Sequence, residues 1–523
     1  MPKIFFDIES RSAVSLEDAG VSRYASDPST DILCVTYVID DGEPQIWLPG
    51  QPIPEDIIAV TKQNPDWIAH NIMFDRTLMT HVVQVRYGWP EIPLERQICT
   101  MSLALANALP GALDKAAAAL GLPLRKDPVG YRLMRKMSRP LPRRKNDPAD
   151  LIRWYEPKPE ERELFHDYAK RDPVLSRLLY QTLLPLPPSE QAQFVHDAVV
   201  NERGFHVDVA LAQAARNIAH SERLAINAEI AAHTEGEITS AHQRDRIVTF
   251  VRRHGHAITS LTKRSVSAIL AHEPCDAVRR LLELRREGAR ASVQKLDRLL
   301  ASVDNDHRLR ATLRYLATST GRWSGRGYQP QNLKKIETTD VDAAVEAILS
   351  SDMDRIRELG APLTVAADIS RAIICAAPGH VLMGGDFSAI ESRKLAWIAG
   401  EDWKLETYRK YDETGDPQHE PYCVMASQAL KRTVTPDDEA GRNFGKTYDL
   451  AFGFGGGLGA WRKFDNSDTY SDAEIEQFRT ATAIQRRNSS GTNSSGWRTL
   501  VFSPAGAPSS AGFRSRCGTG RCS

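Results

Sequence analysis

The sequence predicts an α/β domain at the N-terminus, followed by a helical region and then an α+β region. Three observations carry this: short strand and helix patterns alternate at the start, helical periodicity dominates behind a proline-rich break, and a mixed segment begins at TGRWSGRGYQPQNL. KIFFDIE, ILCVTYVID and the shorter PQIWL have the β-branched and aromatic content of strands. PEDIIAVTK reads as a helix, DWIAHN as a strand, and a further helix is expected from Asp75. Helical patterns recur over 112–121 and 150–184, and LPLPPSE at 184–190 then interrupts the chain with three prolines, which places a domain boundary there. Residues 190–315 are mostly helical in pattern. The mixed region ends in a helix that runs into the glycine cluster FGFGGGLG.

A chain of 523 residues is too long for one hydrophobic core, and roughly 150 residues per domain suggests about three. Charged residues make up 26% and hydrophobic ones 41%, with no apolar run long enough to cross a bilayer. MPKIFFDIES turns acidic at its seventh residue and lacks the pattern of a signal peptide, so a cytoplasmic protein without a membrane partner is expected. The seven cysteines form no C-x-x-C pair, which argues against a disulfide framework or a structural zinc site. The zero net charge hides a local asymmetry: residues 243–335 hold 20 Lys and Arg against 8 Asp and Glu. Such a block on helices suits phosphate contacts along nucleic acid, or else is a solvated face.

Asp7 and Glu9 stand two apart on a predicted strand, so both side chains leave one face and can share a cation. In HNIMFD, at 70–75, Asp75 falls at a strand-to-helix junction, where its structural role would be an N-cap. YAKRD puts Tyr168 and Asp172 four apart on one helical face, and Pro173, directly after Asp172, predicts a kink or restart of that helix. The order FDIES, HNIMFD, YAKRD resembles the three motifs of the DEDD-type 3′-5′ exonucleases, tyrosine subclass. The resemblance implies a ribonuclease H-like fold in which Asp7, Glu9, Asp75 and Asp172 bind two Mg²⁺ ions, with Mn²⁺ as a substitute. It also implies that Tyr168 orients the attacking water and that single-stranded 3′ ends are substrates.

In GGDFSAIESRKLAWIAG, at 384–400, Ser388 and Glu391 have the spacing of a capping box, which would leave Asp386 a turn residue. Downstream, Arg442, Lys446, Leu450 and Phe454 recur every four positions and would line one stripe of a helix, a pattern of cations and a ring suited to a triphosphate and a base. DFSAIESR resembles motif A of the family A DNA polymerases, and R-x3-K-x7-FG resembles their motif B, in the phage and prophage branch. The resemblance covers residues 1 to about 478 and implies a polymerase right hand with the basic helices as thumb. By that resemblance Asp386 binds the catalytic Mg²⁺ and Glu391 sits under the sugar, while Arg442 and Lys446 grip the phosphates of a deoxynucleoside triphosphate. Phe454, where the family usually has Tyr, would stack near the templating base, and Leu450 replaces the usual aromatic. Arg322, Gln331 and Asn332 match positions that touch primer and template.

The expected division is therefore 1–185 exonuclease, 186–319 thumb-like helices, 320–400 partial palm, 401–478 fingers, and 479–523 a low-complexity tail of out-of-frame character. Two-metal nucleotidyl transfer requires a second carboxylate, which the family draws from a His-Asp-Glu motif. This sequence has no His after His419 and no acid after Glu476, so the right hand is expected to be incomplete. Three readings follow: a family A DNA polymerase with a proofreading exonuclease, an exonuclease with a relic polymerase half, or a non-catalytic DNA-binding remnant. No feature of the sequence names a protein partner.

Overall fold

The computed structural model describes residues 1–489 apart from 124–126, 149, 289–291, 319, 334–335, 337, 339 and 466–468, and apart from the side chains of 292–293 and 483–489. The expected tail lies outside the described residues from 490 onward. The chain forms two compact units, 1–382 and 383–523.

The first unit opens with a mixed five-stranded sheet in the order β3-β2-β1-β4-β5, comprising β1 (Lys3–Arg11), β2 (Asp31–Ile39), β3 (Gln45–Trp47), β4 (Asp66–Ala69) and β5 (Gln97–Cys99). β1 pairs antiparallel with β2 and parallel with β4. One face of the sheet buries Ile4, Phe6, Ile8, Val35, Tyr37, Trp47 and Trp67 in the largest core cluster. On the other face, Phe5, Val38 and Ile68 pack with Val174 and Tyr180 of the helix Pro159–Thr182. That helix begins later than the 150–184 pattern, where the Glu161 carboxylate accepts from the Lys158 N–H at 3.0 Å.

The helix after β4 starts at Ile72, with Asn71 in the left-handed region as its N-cap, so Asp75 lies within the first turn and is not a cap. Sequence periodicity misses the helix Leu16–Ser26, whose glycine at 20 interrupts the helical backbone. Beyond Pro188 the first unit is mainly helical: Val209–His233, Arg244–Arg253, Lys263–Ala271 and Asp276–Gly288 share a core of Ile226, Ile230, Ile247, Phe250 and Leu281. Many arginines of the basic block are paired with acids, as in Arg253–Glu237, Arg280–Glu229 and Arg310–Asp304.

The second unit is built from helices, among them Ile390–Ala399, Asp402–Thr414, Pro421–Leu430, Glu439–Phe452 and Leu458–Phe464. Phe444 is its aromatic hub, with Tyr448, Trp461, Tyr470 and Phe478 around it. Lys404 and Asp449, both buried, pair across two of these helices. Among the described residues no helix is long and apolar enough to cross a membrane.

The hydrogen bond from Arg310 holds the Asp306 carboxyl down at about 2. A carboxylate depressed on folding stabilises above its unfolded value near 4, and that contribution is lost as pH falls through the folded value. Asp306→Asn should therefore flatten the acid limb of stability between about pH 4 and 2 by less than about 1 kcal/mol, since the pair is half-exposed. Urea titrations across that range check this.

Candidate exonuclease and nucleotide sites

β1 and β2 continue together past the end of β4. The last pair between β1 and β4 is Phe5 with Ile68, whereas β1 pairs with β2 as far as Arg11 and Asp31. The Ile8 N–H faces the side where no strand remains, and it donates to Asp75 Oδ1 at 3.1 Å. Asp75 is thereby held beside β1, between the positions of Asp7 and Glu9. Burial, and then the Asp7 charge, push the Asp75 carboxyl well above the usual carboxylate range, against the pull of the Ile8 hydrogen bond; Glu9 adds a smaller upward push. Burial pushes the Cys34 thiol up as well, and the charges of Glu9 and Asp7 add to it. Asp7, Glu9 and Asp75 thus lie near enough for their charges to act on one another.

Asp172 comes from the helix Pro159–Thr182, which lies over the sheet face that carries Asp7, Glu9, Cys34 and Thr36. It lines an open cavity of about 340 Å³ together with Asp7, His70 and Asp114. His70 is set by two partners, Nδ1 with Thr100 Oγ1 at 3.0 Å and Nε2 with the Gly111 carbonyl at 2.9 Å. Tyr168 is buried with Cys34, Met137 and Phe165. Gly130, on the helix Pro128–Met137, rests on it so closely that a Cβ there would stand 2.4 Å from Tyr168 Cβ.

The helix runs unbroken through Pro173, where the sequence predicts a kink or restart. Proline removes the N–H that would bond the carbonyl four residues back, at Ala169. Thr36, fully buried on β2 and directly opposite Asp7, donates its Oγ1 hydrogen to that carbonyl at 3.1 Å. One hydroxyl therefore satisfies the orphaned acceptor and joins the helix to the sheet between Tyr168 and Asp172. The sequence does signal the orphan, since Pro173 sits in a helical pattern, but the identity of its donor depends on tertiary packing.

The expected primer-template residues lie in the first unit. Arg322 is exposed and closes a turn through its N–H to Thr318 Oγ1 at 2.8 Å. Gln331 packs against Gly325, and the Asn332 amide donates to Gln329 Oε1 at 2.9 Å while its carbonyl accepts from Lys295 at 2.7 Å.

In the second unit Asp386 is exposed on a segment, 383–387, that forms no strand. Met383 and Phe387 are exposed there too, at 92% and 79%, as an unpacked apolar segment would be. The expected capping box does not form. The helix starts at Ile390 with Ala389 as a left-handed N-cap and no side-chain cap, because Ser388 lies one residue too early; its carbonyl instead accepts from Arg393 at 2.9 Å. Glu391 is in the first turn of this helix. One turn on, Leu395 packs on Gly453, which brings the motif A helix to the end of the motif B helix.

On the helix Glu439–Phe452, Arg442, Lys446 and Leu450 occupy the less buried side, as their spacing predicts. Phe454 lies beyond the helix end and is exposed, so the stripe stops at Leu450. Arg442 pairs with Glu420 at 3.0 Å.

Oxygen donors with mutually repelling charges are the chemistry that a hard divalent cation requires, and the set around Asp75 fits it. Among the described residues, no three His, Cys, Asp or Glu side chains are gathered tightly enough to form a ready-made metal cage.

Over 469 residues the chain is 30% identical to the DNA polymerase of Bacillus phage SP02, a match spanning 88% of this chain and 70% of that protein. The fold is similar to the POL domain of Pol1 from M. smegmatis, solved in complex with DNA primer-template and dNTP, with a TM-score of 0.55 at 16% identity over 94% of this chain and 73% of that one. No protein-family model matches the chain. The fold is that of a DNA polymerase domain. The chain belongs to the phage-type family A DNA polymerases.

Thr36→Val keeps the shape and removes the donor, so it should cost about 1–3 kcal/mol through the unsatisfied Ala169 carbonyl. Thr36→Ser should recover most of that. Chemical denaturation followed by near-ultraviolet circular dichroism compares the three proteins.

Proposed function

We propose that the chain is a DNA-directed DNA polymerase of family A type whose N-terminal domain removes nucleotides from single-stranded 3′ ends. The observation that carries the exonuclease reading is the hydrogen bond that pins Asp75 beside Asp7 and Glu9, with Asp172 lining the same cavity as Asp7. The sheet order, with β2 antiparallel and β4 and β5 parallel, supports a ribonuclease H-like domain.

Asp7, Glu9, Asp75 and Asp172 would hold two Mg²⁺ ions, which when bound supply Lewis-acid stabilisation to the oxygens of a phosphodiester. Asp75, with its raised pKa, would give up its proton to take its place in that set. The Tyr168 hydroxyl would orient the attacking water once the Pro128–Met137 helix gives it access. Thr36 would keep Tyr168 and Asp172 in register with Asp7.

For synthesis, the ligands would be a DNA primer-template, which Arg322, Gln331 and Asn332 would contact, and a deoxynucleoside triphosphate. Asp386 would hold Mg²⁺ and Glu391 would sit under the sugar. Arg442, after releasing Glu420, and Lys446 would take the phosphates, with Leu450 and Phe454 toward the base. The exposed, strandless setting of Asp386 supports a polymerase site that is incomplete in this chain. That arrangement favours the exonuclease as the working activity.

In Mg²⁺ the chain should digest a 3′-labelled single strand, and Asp7→Ala should abolish the digestion. Digestion that survives Asp7→Ala would remove these carboxylates from the mechanism. Primer extension with all four nucleotides should give little or no product, and robust template-directed synthesis would contradict an incomplete site.

A further inference from the structure

Two guanidiniums reach the cavity of Asp7 and Asp172 from outside the α/β domain. Arg314 and Arg326 line it together with the carboxylates, and both also line an adjoining cleft of about 470 Å³. The two spaces share Asn71 and Met101 as well, so they adjoin, and Arg139, Arg298 and Arg310 line the second of them.

The arginines come from a hairpin in which Leu313–Arg314 pairs with Ser324–Gly325, just where the polymerase-like TGRWSGR segment runs. The hairpin is fastened to the helix Pro188–Arg203. Leu313 N–H donates to Asn201 Oδ1 at 2.9 Å, Trp323 Nε1 donates to Asp197 Oδ1 at 2.7 Å, and the Tyr315 hydroxyl bonds Glu190. Arg326 is tied to the hairpin by its backbone N–H, which donates to the Thr312 carbonyl at 2.7 Å.

What these two side chains lack is a counter-ion. Arg310 is matched by Asp304 and Asp306, and Arg76 by Glu202, whereas among the described residues neither Arg314 nor Arg326 is within ion-pair distance of a carboxylate. Arg314 Nη2 has only the Met101 sulfur, at 3.0 Å, and its Nε is buried without a hydrogen-bond partner. Surrounding protein and then the charge of Arg314 both lower the Arg326 pKa, as expected of two cations held near each other. Two neighbouring cations on a braced hairpin, with no carboxylate at ion-pair distance, are stabilised by an anion that joins them. Under the exonuclease reading a metal would occupy the carboxylates of that cavity, which leaves the substrate to supply the anion. Two joined spaces of this size suit a few nucleotides of single strand.

We propose that Arg314 and Arg326 form a phosphate-binding subsite that draws the backbone of a single-stranded DNA 3′ end across Asp7 and Asp172. The proposal rests on the exonuclease reading and deepens it, because the polymerase-like segment then completes the exonuclease's substrate track.

Binding needs no catalysis, which separates the two claims. Fluorescence anisotropy of the full chain with a labelled ten-nucleotide single strand in EDTA should show Arg314→Gln/Arg326→Gln weakened about ten-fold. The slope of log affinity against log salt should fall by about 1.4, from roughly 0.7 for each phosphate contact on single strands. Arg326 is exposed, so Arg326→Gln alone should fold normally and lose about half of that slope, while Arg326→Lys retains it. An unchanged slope and affinity in Arg326→Gln and in the double variant would overturn the subsite even if Asp7→Ala abolishes digestion. A lost slope with digestion that survives Asp7→Ala would keep the subsite and remove the exonuclease assignment.

Discussion

The placement of Asp75 beside Asp7 and Glu9 in the first unit depends on the hydrogen bond between the Ile8 N–H and Asp75. β4 ends at Ala69, and without another partner β1 would carry an open backbone donor toward the site. A carboxylate fills that place where a strand would otherwise lie. The consequence is a buried acid next to two others, and a folded state that raises the proton affinity of Asp75. Like charges kept together in this way are costly unless protons or cations neutralise them. That cost is a physical reason to associate the end of β1 with metal binding.

A second device ties the helix that carries Asp172 to the sheet. Pro173 breaks the internal hydrogen bonding of a long helix, and Thr36 repairs it from the sheet. The helix and the sheet face are thereby joined at the turn that runs from Tyr168 to Asp172. Helix, strand and carboxylates cannot shift independently there without leaving a buried carbonyl unsatisfied.

Much of this was legible in the sequence because local pattern governs it. The strands KIFFDIE and ILCVTYVID and the helix over 112–121 appear where hydrophobic alternation and periodicity put them. The exposed side of the motif B helix also follows from the spacing of Arg442, Lys446 and Leu450. What local pattern could not show is decided by distant partners. Asp75 looked like a cap because a strand precedes it, yet the helix begins at Ile72 and Asp75 bonds a strand 67 positions away. Ser388 and Glu391 have capping-box spacing, but the backbone at Ala389 turns left-handed first. The Thr36–Ala169 bond and the arginines on the 313–325 hairpin join parts of the chain that no window of sequence compares.

The two units differ in how their candidate carboxylates are held. In the first, the carboxylates are braced by buried hydrogen bonds, whereas in the second Asp386 stands on exposed, strandless chain. Asp7, Glu9, Asp75 and Asp172 are proposed to form one divalent-cation site. Electron paramagnetic resonance of Mn²⁺ binding to the full chain tests it most directly. Asp7→Ala and Asp75→Asn should each lose the same two bound ions, whereas Asp386→Asn keeps them. Equal Mn²⁺ stoichiometry in the wild-type, Asp7→Ala and Asp75→Asn proteins would contradict it.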